Sequence, residues 1–112
     1  TGLRNAVSFY FSKDEGKLVE NLVFLELRNR GKEVYYWKGL GEVDFVVKEK
    51  DQSLYAVQVC YSNTVAEREV LALREFKQKY TQAKRLVILT KDSEKKEEEI
   101  EYIPVWKWLL QQ

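Results

Sequence analysis

The chain has 112 residues, 45% of them apolar and 13% aromatic, enough to bury one sizeable core and too apolar for a disordered segment. Nineteen basic and eighteen acidic side chains leave a net charge of +1, which excludes attraction of nucleic acid by the whole surface and leaves only a local patch. One cysteine and no histidine exclude an internal disulfide and any zinc or haem site built from this chain alone.

No run approaches the roughly 18 apolar residues of a membrane span, and no signal-peptide pattern is visible. With its lone cysteine, the chain is expected to be cytoplasmic. The absence of methionine and the start at Thr1 give the further expectation of a fragment of a longer protein.

In chain order, Ser12-Lys13-Asp14-Glu15 predicts a capping box opening a helix that runs to about Arg30, with Gly31 as its stop. Leu18, Leu22 and Leu25 share one face and Val19, Val23 and Leu27 widen it, so this helix is expected to be buried on several sides. Residues 33–37 are rich in β-branched and aromatic side chains and predict the first strand. Two more strands follow at 42–48 and 54–60, joined by the polar loop 49–53. Thr64-Val65-Ala66-Glu67 predicts a second capping box, ahead of Ala66, Val70, Leu73, Phe76 and Tyr80 at helical spacing. The continuous apolar run 85–90 predicts a strand covered on both faces. Residues 91–99 predict a solvated charged loop, residues 100–103 an edge strand, and Pro104 the opening of a short helix over 105–110. The expected fold class is α/β, a mixed central sheet flanked by helices in the order α-β-β-β-α-β-β-α, within a single domain.

The loop length sets Lys48 opposite Leu54 and Asp44 opposite Gln58. Alternation then projects Asp44, Gln58 and Cys60 to one face, with Phe45, Val57 and Val59 on the other. A carboxylate inside an apolar strand needs a cation, a donor or solvent. Glu20 emerges from an apolar stripe containing Phe24 and Leu27, so the first helix can bring a second carboxylate to the same place. Arg74, Lys77, Lys79, Lys84 and Arg85 are the candidate nucleic-acid footprint. Tyr35-Tyr36-Trp37, Trp106 and Trp108 read as packing rather than as platforms for bases. Cys60 reads most simply as a small apolar residue.

The helix Gly16-Lys17-Leu18-Val19-Glu20-Asn21, the run Val34-Tyr35-Tyr36-Trp37, the strand Gly41-Glu42-Val43-Asp44-Phe45-Val46-Val47 and the strand Val57-Gln58-Val59 together resemble a known domain. It is the one that follows the ATPase core in a large family of prokaryotic AAA-type ATPases, and it belongs to the PD-(D/E)xK, or restriction-endonuclease-like, superfamily. Thr1-Gly2-Leu3 and Ile103-Pro104-Val105-Trp106-Lys107-Trp108-Leu109-Leu110 extend the resemblance over the whole chain. It implies a restriction-endonuclease-like fold and an ATPase domain in cis, outside these residues. It also implies Glu20 as the helical carboxylate, Asp44 as the metal-holding carboxylate, Gln58 at the second acidic ligand and Cys60 at the lysine.

In active members the carboxylates hold Mg²⁺, which activates water, and the lysine adds positive charge at the phosphate. Here Glu-x-Lys has become Gln58-Val59-Cys60, which removes a ligand charge and the cation together. Lys38 or Arg68 can fill the cationic vacancy. The expectation is therefore a degenerate site on a nuclease scaffold, DNA-associated or purely a protein-interaction module, with an active Mg²⁺-dependent endonuclease as the alternative.

Overall fold

The structure, a computed structural model, describes residues 2–5 and 15–111. Its elements are β1 (Arg4–Asn5), α1 (Glu15–Asn29), β2 (Glu33–Lys38), β3 (Glu42–Lys48), β4 (Leu54–Val59), α2 (Glu67–Lys79), β5 (Ala83–Thr90), β6 (Lys95–Glu97), β7 (Ile100–Pro104) and α3 (Val105–Leu110). The strands form one seven-stranded sheet in the order β1-β2-β3-β4-β5-β7-β6. From β1 to β4 neighbours are antiparallel; β4, β5 and β7 run parallel, and β6 returns antiparallel to β7. The fold class is α/β with a mixed sheet, as expected.

Helices cover both faces. Val19, Val23, Phe24 and Leu27 of α1, with Val105 and Trp108 of α3, pack on Phe45, Val47, Val57, Val59, Val87 and Leu89. On the other face Ala72, Leu73 and Phe76 of α2 pack on Val43, Val46, Ala56, Leu86, Ile88 and Trp37. The run 85–90 divides its side chains between both cores, which is why it reads as continuously apolar. Gly31, at φ +75°, stops α1 with a Schellman motif: its N–H donates to the Arg28 carbonyl and that of Lys32 to the Leu27 carbonyl.

Several expectations are corrected. Leu18, Leu22 and Leu25 are 42, 53 and 47% exposed, so α1 buries one stripe and shows a second apolar one to solvent. Within 91–99 a three-residue strand, β6, forms the sheet edge, which makes 100–104 an interior strand. The Thr64–Glu67 capping box is not made: α2 begins at Glu67 behind Ala66, which offers no side-chain cap. Thr64 instead belongs to the preceding turn, its N–H held by Ser62 Oγ at 3.0 Å. The Ser12–Glu15 box falls on residues 12–14, outside those described.

Candidate functional site

The β3–β4 hairpin has the register that its loop length predicts: Lys48 pairs with Leu54 and Phe45 with Val57, which sets Asp44 and Gln58 opposite each other at the next step. There the ladder changes character. Gln58 Oε1 accepts from the Asp44 N–H at 2.8 Å, and Gln58 Nε2 donates to the Glu42 carbonyl at 2.7 Å and the Glu69 carbonyl at 3.4 Å. The Asp44 carboxylate accepts from the Val59 N–H at 2.8 Å. Two side chains thus bridge β3 and β4 where the strands part, and Gln58 also ties them to the first turn of α2.

The expected alternation fails at one point. Tyr35 pairs with Val46 but Trp37 with Val43, so two residues of β3, Asp44 and Phe45, stand against Tyr36 alone. This is a bulge, and it explains why Val43 and Val46, three apart, enter the same core. Gln58 and Cys60 face α2, as their contacts with the Glu69 carbonyl and the α2-side core show. Asp44 sits in the bulge and is felt from both layers, by Glu20 of α1 and Glu69 of α2.

The electrostatics follow from that position. Burial pushes the Asp44 carboxyl up to about 7; the Val59 N–H opposes this, the negative fields of Glu20 and Glu69 add to it, and Lys17 offsets part. Glu69 is raised in turn, first by burial and then by Glu20 and Glu42 against Arg68. Burial also pushes the Cys60 thiol up. Cys60 is half-buried, its Sγ 3.9 Å from the Thr64 carbonyl, and as a neutral thiol it supplies no positive charge.

Glu20 is partly buried beside Lys17, at 3.8 Å. Neither residue named for the cationic vacancy reaches Asp44: Lys38 pairs with Glu42 at 3.7 Å and Arg68 with Glu69 at 3.8 Å, both largely exposed. Glu69 and Lys17 are the groups that sequence reasoning missed. A first-turn glutamate on a polar helix reads as a dipole partner, and only the packing of α2 over β3 and β4 brings it near the bulge.

Mg²⁺ needs several oxygen ligands converging on one point. Gln58 is fully buried with both ends of its amide engaged by backbone, Cys60 is neutral, and one Asp44 oxygen holds Val59. Among the described residues no three His, Cys, Asp or Glu side chains are grouped to hold an ion. The donor set does not fit the metal that the resemblance implies.

Four of the five basic candidates are engaged by other groups of this chain. Arg74 pairs with Glu98 at 2.6 Å, Lys84 with Asp51 at 2.9 Å, and Arg85 with Glu101 through two bonds of 3.0 and 3.1 Å. Lys77 donates to the Ala83 and Thr81 carbonyls past the end of α2, and Lys79 is exposed on its last turn. Arg85 lies over Tyr55, on the side of the sheet away from α2. Trp37 and Trp108 are core residues as read, whereas Trp106 is half-exposed. Among the described residues no helix is long and apolar enough to cross a membrane.

Over 119 aligned residues the chain is 38% identical to the uncharacterized protein MJ1544 of Methanocaldococcus jannaschii, an alignment that covers 92% of this chain. It covers 26% of that protein, so the chain spans about a quarter of its relative's length. No solved structure matches the chain. A family model matches residues 15–108, which hold every element from α1 through most of α3, and the chain belongs to that family, the Domain of unknown function (DUF4143).

Proposed function

We propose that this chain is a nuclease-fold accessory domain of a longer, ATP-dependent protein, catalytically silent, and acting as an interaction or regulatory module of its ATPase. The observation that carries this reading is Gln58. At the position of the second acidic ligand stands a buried amide whose oxygen and nitrogen are both bound to backbone, so the position serves the fold. Asp44 keeps its carboxylate but holds Val59 with it, and no lysine stands at position 60. The scaffold of a metal site survives here as a joint between β3, β4 and α2.

The ATPase part of the reading draws on the resemblance, and the relative four times as long is compatible with it. ATP would be bound elsewhere, because these 112 residues contain no Gly-rich phosphate loop. The test is a cleavage assay on plasmid and linear DNA with Mg²⁺ or Mn²⁺. The wild-type domain is expected to leave both intact. Metal-dependent cleavage that disappears in Asp44→Ala would overturn the reading and revive the endonuclease. Salt-dependent DNA binding without cleavage would move the module from a protein partner to a nucleic acid.

A further inference from the structure

At the other end of β4 from Gln58, a cleft of about 840 Å³ opens between the C-terminal end of α1, the β3–β4 turn, the start of β5 and the end of α3. That volume suits a small molecule. Two arginines line it, and both are fixed in place. The Arg30 guanidinium lies 4.5 Å from the Trp108 ring centroid, with Nε on Glu26 at 2.7 Å and Nη2 on the Trp108 and Gln111 carbonyls at 3.1 and 2.8 Å. The Arg85 guanidinium lies 5.9 Å from the Tyr55 ring centroid, with Nε and Nη2 on Glu101. Each keeps Nη1 without a hydrogen bond among the described residues. Arg30 also covers carbonyls at the end of α3, whose negative dipole would otherwise oppose an anion.

The Tyr55 hydroxyl lies in the field of Arg30, Lys32, Glu49 and Arg85 together. Five cationic side chains line the cleft; Lys32 is paired with Glu49 at 3.0 Å and Lys84 with Asp51 at 2.9 Å, which leaves Lys50 without an ion pair among the described residues. Glu26 and Glu101 hold the arginines from outside this lining. A single carboxylate from a ligand would duplicate partners already there. A ligand with two or more charges concentrated on a few oxygens gains contacts that the protein's own carboxylates do not supply.

We propose that this cleft binds a small polyanion carrying phosphate groups, gripped by Arg30 and Arg85 on their aromatic supports and by the exposed Lys50 at the turn. The inference stands apart from the reading of Asp44 and Gln58, which lie at the opposite end of the β3–β4 hairpin.

The test is calorimetric titration of the whole chain with inorganic pyrophosphate at low ionic strength. Saturable binding is expected, on the order of 0.1 mM, weakening as salt rises. Arg85→Gln should weaken it about tenfold, as the loss of a charge-assisted contact does. Lys50→Gln changes an exposed side chain, should leave the melting temperature unchanged, and should weaken binding about threefold. Lys91→Gln, outside the cleft beside Tyr61, should change nothing. No saturable binding, or binding indifferent to both Arg85→Gln and Lys50→Gln, would overturn the proposal. So would a short oligonucleotide binding through these residues where pyrophosphate does not.

Discussion

At position 58 a glutamine and a glutamate differ by one donor group, and here that group is structural. The Gln58 NH₂ faces the Glu42 and Glu69 carbonyls, so Gln58→Glu would set a carboxylate against two acceptors and remove the donor that they share. Loss of buried partners of this kind costs about 1–3 kcal/mol each, more when the replacement is charged. Gln58→Glu is therefore expected to destabilise the domain by about 3 kcal/mol at pH 7, and by less at pH 5, where the new carboxyl is protonated and can donate to one carbonyl. Urea unfolding at the two pH values checks this; an equal or higher stability at pH 7 would mean that the position can hold an acid. The Asp44–Gln58 pairing was legible in the sequence, because a five-residue loop between two apolar strands leaves little freedom of register. The orientation of Asp44 was not, because a bulge inserts one residue with no mark in composition. Glu69 was illegible for another reason: its nearness to Asp44 is created by α2 crossing the sheet, a contact that no local spacing encodes.

The β2–β3 turn shows how one element is seated on another. A Cβ at Gly39 would come within 2.4 Å of the Trp37 ring and 2.6 Å of the Glu75 carboxylate, and one at Gly41 within 2.9 Å of the Ala72 Cβ. The same Glu75 accepts from the Leu40 and Gly41 N–H groups at 2.9 and 3.1 Å, so α2 clamps the turn. Gly39→Ala forces the Trp37 ring or Glu75 to move and is expected to cost about 2 kcal/mol, within the range for overpacking. Leu22→Ala, on the exposed stripe of α1, should cost well under 1 kcal/mol, since a half-exposed side chain leaves no cavity. Thermal denaturation of the two variants checks both, and the reverse order would contradict the burial described. Here too the sequence was partly readable. Strands 42–48 and 54–60 and the helix after 64 follow from periodicity and punctuation. Which apolar face of α1 turns inward does not, because Leu18, Leu22 and Leu25 carry the same periodicity as Val19, Val23 and Leu27. The strand β6 was missed because all three of its residues are exposed and charged, as suits a protected sheet edge.

For the molecule as a whole, a net charge of +1 leaves little global self-repulsion, so the dependence of stability on pH rests on a few displaced groups. Two of them act from the acid side. Asp51 is held well below the usual carboxylate range by Ser53 and Lys84, and Glu101 is lowered by Arg85. Their stabilisation is complete above their unfolded pKa values and is lost as pH falls. Asp44 acts in the opposite direction. Its carboxyl is raised from 3.8 to about 7, so between those values the folded chain binds more protons than the unfolded one and stability falls as pH rises through that window. Glu69, also raised, adds to the fall. Maximum stability is therefore expected in mildly acidic solution, with a decline toward neutrality. Asp44→Asn keeps an oxygen for the Val59 N–H and removes the charge that Glu20 and Glu69 oppose. It should match the wild type near pH 4 and exceed it at pH 8 by about 2–4 kcal/mol, the scale of a shift of about three pKa units. Urea titrations of the two proteins across this range measure the difference directly. If Asp44→Asn is instead the less stable protein at pH 8, Asp44 is ionised there with a cation beside it, and the site still holds the positive charge that its neighbours require.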